Sequence, residues 1–269
     1  MSYYRNFDLT LYNSFNLTST VEEIWFPEDV RELHNLLLDL KDVSFYILSY
    51  GTNVILAPTI KKIICLRKMP NAIFGKGQQL YCHANSLVQR VVKESLCNDW
   101  AGMEGLIGIP GSVGAAIMGN SGSGTYCISD SLYGIVTIDF EGHLHNYSKT
   151  QLDFKRRYCN LQNKKEIILW AVFQFITKGT NQTIIDRTLT YRKNFPKGWS
   201  AGGLFKNWYA LKPYEKELRN IQSPNLYLSE QLNIVINKGE ATYDEILYFI
   251  AKIRAIVKVP LELEVKIFK

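Results

Sequence analysis

A mixed fold of helices and strands, α+β or α/β, is predicted by three features of this 269-residue sequence. Short apolar strand-like runs alternate with stretches of helical periodicity. Turn signals separate them. No repeat of domain size is present, so the alternation does not come from a solenoid. The length fits one large domain or two to three small ones. Hydrophobic residues make up 46 % and charged residues 21 %, which supplies a real core and excludes a disordered chain.

The elements follow in order. Leucines at 33, 36, 37, 38 and 40 predict a helix over 29–41. Phe45 to Leu48 reads as a short buried strand ending at the turn Ser49-Tyr50-Gly51-Thr52-Asn53, after which Val54-Ile55-Leu56 resumes. Ile63 to Leu66 and Leu80 to His83 are further strands, and Leu87, Val88, Val91, Val92 and Leu96 mark one face of a helix. Residues 132–147 read as a hairpin about a Glu141-Gly142 turn. The β-branched and aromatic run Ile167 to Thr177 predicts a central strand, and 181–194 a basic helix. Phe195-Pro196-Lys197-Gly198 is a candidate hinge into a last unit. In that unit Thr242-Tyr-Asp-Glu245 forms a capping box ahead of an apolar stripe at Ile246, Ile250, Ile253 and Val257. The alternation from Leu261 to Phe268 predicts a closing strand with Glu262, Glu264 and Lys266 on its polar face.

Thirty-one Lys and Arg against twenty-five Asp and Glu give a net charge of +6. The basic residues are scattered, not gathered in the dense stripe of a nucleic-acid binder, and a small anionic ligand accounts for the excess as well as a solvated surface does. No apolar run is long enough to span a membrane, and the N-terminus lacks an apolar stretch behind a basic start. Cys65, Cys82, Cys97, Cys127 and Cys159 are odd in number, widely spaced and without a C-x-x-C pair, so free thiols in a reducing cytoplasm are expected. His143 and His145 could share one strand face, but no third metal ligand accompanies them and no metal site is assigned.

The most informative stretch is Ala101 to Gly124, where glycine recurs at 102, 105, 108, 111 and 114. Without Cβ atoms a ligand can approach the backbone closely. Gly111-Ser112-Val113-Gly114-Ala115-Ala116 reads as a loop entering a helix, which offers free N–H donors to an anion such as a pyrophosphate. The G-K-[ST] of a P-loop, the Rossmann spacing and G-x-S-x-G are all missing.

This segment, with Asn120-Ser-Gly122 and Ile128-Ser-Asp130, resembles the flavin-binding signature of the UDP-N-acetylenolpyruvoylglucosamine reductase family. Further blocks follow in the order that family shows. Asn13-Ser14-Phe15 resembles its Asn-Thr-Phe, and Gly51-Thr52-Asn53-Val54 its Gly-Ser-Asn turn. Phe154-Lys-Arg-Arg157 is similar to its Phe-Gly-Tyr-Arg, and Ser200-Ala-Gly-Gly-Leu-Phe-Lys-Asn207 to its Ala-Gly-Ser-x-Phe-Lys-Asn. Leu261-Glu-Leu-Glu264-Val resembles the closing Leu-Glu-Pro-Glu-Val, so the likeness spans nearly the whole chain.

The resemblance implies an α+β, two-subdomain FAD-binding fold (PCMH/MurB-type) with a small α+β substrate-binding C-terminal domain. Residues 1–68 and 69–178 would be the FAD-binding subdomains and 195–269 the substrate domain. It implies an enzyme, a monomer in the cytoplasm, that uses FAD and NADPH to reduce the enolpyruvyl group of UDP-GlcNAc-enolpyruvate to UDP-MurNAc in peptidoglycan synthesis. Gly51, Thr52, Asn53, Gly108, Pro110, Gly111, Ser112, Gly114 and Asn120 would contact FAD. Arg157 would hold the substrate carboxylate, Glu264 would assist protonation, and Lys206, Asn207 and Gln231 would bind substrate. The family's proton-donating Ser is Gly203 here, and Arg156 replaces its Tyr. A divergent reductase with another proton source is therefore weighed against a flavoprotein of altered substrate or lost reductase activity. A different FAD enzyme on the same fold, which would not need the Arg157 and Glu264 pair, is the third reading.

Overall fold

A computed structural model describes residues 1–175 and 178–269, which divide into two compact units. The first unit comprises 1–2, 26–44 and 65–195, and the second comprises 3–25, 45–64 and 196–269. The last division falls between Phe195 and Pro196, within the predicted hinge segment.

The first unit is built on a five-stranded antiparallel sheet in the order Leu144–Ser148, Leu132–Asp139, Glu166–Gln174, Gln79–His83, Ile73–Lys76. The central strand ends at Gln174, and the last two residues of its predicted span, Ile176 and Thr177, lie outside the described residues. The hairpin turns at Gly142, whose φ of 89° is open to glycine, and the Asp139 carboxylate accepts from the N–H groups of Glu141 and His143 at 2.9 Å each. Four helices complete the unit: α1 (Val30–Asp39), α2 (Val88–Cys97), α3 (Val113–Met118) and α4 (Gln182–Lys193). Asp29 caps α1 by accepting from Glu32 N at 2.8 Å. Val88, Val91 and Val92 of α2 join Val113, Ala116 and Ile117 of α3 in one core with Leu80, Ile135, Ala171 and Phe173 of the sheet.

In the second unit, the parallel pair Thr20–Phe26 and Thr59–Cys65 lies inside a four-stranded sheet edged by Ser2–Asp8 and Tyr46–Leu48. Helices α5 (Glu215–Arg219) and α6 (Tyr243–Ile256) belong to this unit. Thr242 caps α6 by accepting from Glu245 N at 3.2 Å. Ile246, Phe249, Ile250 and Ile253 then bury against Phe15, Leu204, Phe205, Leu211 and Val235. The predicted closing strand is shorter than its alternation suggests. Only Lys266–Phe268 is a strand, paired in parallel with Val54–Leu56, while Leu263 makes a lone bridge to Phe205. The chain changes partner between those two pairings, which interrupts the ladder.

Candidate functional site

Four blocks far apart in the sequence meet within the second unit. Ser14 N donates to Gly51 O at 3.0 Å, and Ser14 Oγ donates to Ser200 O at 2.7 Å. Asn53 Nδ2 donates to Glu264 O at 3.2 Å, and Lys266 N to Asn53 O at 3.0 Å. Glu264 N donates in turn to Leu204 O at 2.7 Å. Gly51 is required at its place: its φ is 68°, and a Cβ there would lie 1.9 Å from Tyr12 O. Thr52 presents its carbonyl 3.9 Å from where a Cβ at Gly202 would stand.

Gly203 faces Glu264 in this cluster. Its backbone conformation is one that L residues adopt, and a Cβ on it would lie 3.4 Å from Glu264 Oε2 and 2.7 Å from Asn233 Nδ2. Asn233 is buried and grips the loop through both ends of its amide, Oδ1 accepting from Phe205 N at 2.9 Å and Nδ2 donating to Phe205 O at 3.0 Å. Asn207 likewise uses both ends of its amide: Nδ2 donates to Pro260 O at 2.8 Å and Oδ1 accepts from Glu262 N at 3.1 Å. Lys206 Nζ stands 3.9 Å from Glu262 Oε2. Burial, helped by the neighbouring Lys206 charge, draws the Lys266 ammonium below the usual lysine range. Gln231 lies in the turn 229–233, where its carbonyl accepts from Asn233 N at 2.6 Å and Leu232 takes a φ of 55°.

The glycine segment belongs to the first unit. Gly108 and Gly111, with φ of 80° and 96°, bracket Ile109 and Pro110. Gln89 of α2 clamps this turn, accepting from Gly108 N at 3.1 Å and donating to Ile109 O at 2.7 Å. Gly114 lets α3 approach the loop before α2, since a Cβ there would stand 3.0 Å from Ala84 Cβ.

The start of α3 does not offer the free donors expected of it. Val113 N donates to Ser86 O at 2.9 Å, Gly114 N to Ala84 O at 2.8 Å, and Ala115 N to the capping Ser112 Oγ at 3.3 Å. A lone antiparallel bridge between Leu87 and Ser112 closes the segment onto that loop and spends the N–H groups. The helix is also only six residues long.

What the segment does present is a polar acceptor. Asn120 is 5 % exposed with a φ of 40°; its Nδ2 donates to Lys155 O at 3.0 Å, and its buried Oδ1 has no hydrogen-bond partner among the described residues. A buried acceptor without a donor costs free energy unless a ligand supplies one. Arg157, at a turn with φ of 54°, is aimed by Nη2 donating to Gly122 O at 2.9 Å and by Nη1 donating to Asn120 O at 3.4 Å.

Sequence reasoning missed Gln89 and Asn233, which hold the loops by their side-chain amides. The visible signal was a polar residue at one turn of an otherwise apolar run, as in Asn233-Ile-Val-Ile-Asn237. His143 and His145 both face Asp139, with Nδ1 at 3.2 Å and Nε2 at 2.8 Å from Oδ2. Among the described residues no group of three could hold a metal ion, and no helix is long and apolar enough to cross a membrane.

The chain is similar over nearly all its length to curated reductases. It is 28 % identical over 264 residues to the UDP-N-acetylenolpyruvoylglucosamine reductase of Carboxydothermus hydrogenoformans, covering 90 % of this chain and 85 % of that one. It is 28 % identical over 276 residues to the enzyme of the same name from a Thermotoga species, covering 97 % and 91 %. The crystal structure of that reductase from Thermus caldophilus superposes with a TM-score of 0.82 at 22 % identity, covering 100 % of this chain and 98 % of that one. No family model matches. The fold is therefore the α+β fold of that reductase. The likeness in sequence to the UDP-N-acetylenolpyruvoylglucosamine reductases runs over nearly the whole chain.

Proposed function

We propose that this protein is a cytoplasmic reductase that takes hydride from NADPH and reduces the enolpyruvyl group of UDP-GlcNAc-enolpyruvate to UDP-MurNAc, with FAD as its cofactor. The observation that carries the reading is the convergence of the family's blocks in the second unit, where Asn53 donates to the backbone of Glu264 and position 203 points at the Glu264 carboxylate. Residues 1–68 and 69–178 are taken as the FAD-binding subdomains and 195–269 as the substrate domain.

The residues present fit FAD. A buried acceptor without a partner at Asn120 is a feature of a surface built for close approach of a polar ligand. Gly51, Thr52, Asn53, Gly108, Pro110, Gly111, Ser112, Gly114 and Asn120 are the residues proposed to hold it. When bound, FAD supplies the hydride chemistry.

The chain's own residues have three tasks. Hydride addition to one alkene carbon leaves negative charge beside the substrate carboxylate, and the Arg157 guanidinium, already oriented by two backbone carbonyls, is suited to hold that carboxylate and offset the charge. Lys206, Asn207 and Gln231 are proposed to position the nucleotide sugar. The other alkene carbon needs a proton, and Glu264 lies beside the position from which the family's Ser delivers one. With Gly203 there, the proton is proposed to come from solvent or from Ser200 on the same loop, with Glu264 stabilising its delivery. Gly203 also favours a second reading, a flavoprotein of this fold with a changed acceptor.

The test is product analysis. Incubation with NADPH and UDP-GlcNAc-enolpyruvate should convert the sugar to a species heavier by two hydrogens, with FAD released on denaturation. Bound FAD without that product would support the second reading, and a protein that takes up no FAD would defeat both.

A further inference from the structure

The turn 229–233 is fixed at both ends and strained in the middle. Ser229 N donates to Ile234 O at 2.8 Å, and the Asn233 side-chain amide grips Phe205. Between these anchors Leu232 N donates to Ser229 O at 3.0 Å, and Asn233 N reaches back past Leu232 to Gln231 O at 2.6 Å. With Leu232 at a φ of 55°, that three-residue loop is a γ-turn of positive φ, the rare and strained form. A bulky leucine is ill suited to it, because its Cβ crowds the backbone in the left-handed region. The Leu232 side chain is buried in the core of its unit, so packing holds it there while the backbone carries the strain. A second cost lies beside the first. Ser229 is 4 % exposed, and its Oγ is buried with no hydrogen-bond partner among the described residues. If that hydroxyl were never used, a methyl group would serve better there.

One rotation removes both costs. Turning the planar peptide between Gln231 and Leu232 by half a turn changes ψ of Gln231 and φ of Leu232 and leaves the anchors at Ser229 and Asn233 in place. Leu232 then leaves the left-handed region. The Gln231 carbonyl takes the direction its partner N–H had, toward Ser229, where the unused hydroxyl can donate to it. In exchange the N–H groups of Leu232 and Asn233 lose their acceptors, so the flipped turn is favoured only when oxygen atoms from outside replace them. The turn stands where a ligand of the proposed reaction would supply them. Ser229 is bonded to Ile234, and Ile234 bridges Gly203, the position whose Cβ would face the Glu264 carboxylate.

We infer that the turn 229–233 is a two-state element: binding of the nucleotide sugar flips the Gln231–Leu232 peptide, and Ser229 is the positioning residue that holds the flipped form. The inference rests on the function proposed above. It adds to it a conformational step and a residue that no motif marks.

The experiment compares the FAD-loaded protein with Ser229→Ala. Removing a hydroxyl that is idle at rest and bonded in the complex moves stability and affinity in opposite directions. The sugar-free variant should melt about 2–4 °C higher. Calorimetry with UDP-GlcNAc-enolpyruvate, without NADPH, should show binding weaker by about 10-fold. The flip itself is read by magnetic resonance on unsubstituted protein carrying carbonyl-labelled glutamine and nitrogen-labelled leucine. That pairing reports three peptides, 79–80, 151–152 and 231–232, the last assigned by its loss in Gln231→Asn. The 231–232 signal should move far more than the other two when the sugar binds. A lower melting temperature in Ser229→Ala would mean that the hydroxyl is already used at rest and would overturn the inference. Affinity unchanged within twofold, or a 231–232 signal that stays in place while the sugar binds, would also overturn it and leave the proposed function intact. Failure of the unsubstituted protein to bind the sugar would defeat the proposed function, and the inference with it.

Discussion

A side chain placed at Gly203 would start 3.4 Å from Glu264 Oε2. That relationship links the most conspicuous departure in the sequence to the carboxylate on the closing segment. Position 203 needs no left-handed backbone, so a serine can be accommodated there at the cost of a shift in the Asn233 amide, which lies 2.7 Å from the new Cβ. Gly203→Ser should therefore raise the rate of enolpyruvyl reduction, by up to the roughly 10²–10⁴-fold that a positioned acid contributes. Flavin reduction by NADPH should not change. Stopped-flow measurement of the two half-reactions checks this, and an equal effect on both would contradict it.

Arg157 is aimed by its bonds to Gly122 O and Asn120 O, made from two separate nitrogens of a planar fork that lysine lacks. Arg157→Lys should keep the charge yet lower turnover of the sugar by about 10-fold or more, chiefly through poorer orientation of the carboxylate. The FAD content of the purified variant should stay near that of the unsubstituted protein. A variant that reduces the sugar at the normal rate would remove Arg157 from the proposed site.

Asn237 is 2 % exposed and ties three backbone groups together. Its Nδ2 donates to Phe15 O at 2.8 Å, and its Oδ1 accepts from Gly239 N at 2.7 Å and Ala241 N at 3.1 Å. Asn237→Ala strands those groups and should cost about 3 kcal/mol of stability. Urea unfolding measures it. A loss below about 1 kcal/mol would mean that the loop relaxes to satisfy them.

Burial alone would raise the Asp139 carboxyl, but hydrogen bonds from His145, from the N–H groups of His143 and Glu141, and from the His143 ring bring it down from 3.8 to about 2. A depressed carboxyl contributes stability that is fully present above its unfolded value and is lost as pH falls through its folded one. Asp139→Asn should therefore be less stable than the unsubstituted protein at neutral pH. The gap should narrow below about pH 4 and be lost as pH falls through about 2. A gap independent of pH over that range would show that the carboxylate's charge does not matter to the hairpin.

Much of the fold was legible because its signals are local. Asp29, Thr242, the valine face of α2 and the Glu141-Gly142 turn each state their element within a few residues. The closing segment misled because alternation predicts which way side chains point, not which neighbour pairs with them. From Leu263 to Lys266 that neighbour changes from the Phe205 loop to Val54–Leu56. The site residues could be named because their blocks match a family pattern, but their partners could not. The donors at the start of α3 are consumed by Ala84 and Ser86, residues that no spacing rule connects with Val113 and Gly114. Likewise, Asn233 and Asn237 act on loops far away in sequence, through contacts that exist only after folding.

The most direct test of the account is an anaerobic visible spectrum of the FAD-loaded protein, first with NADPH and then with UDP-GlcNAc-enolpyruvate added to the same cuvette. The flavin band should bleach with NADPH and recover when the sugar is added. Bleaching that persists after addition of the sugar, while molecular oxygen still restores the band, would contradict the proposed reductase and point to another electron acceptor.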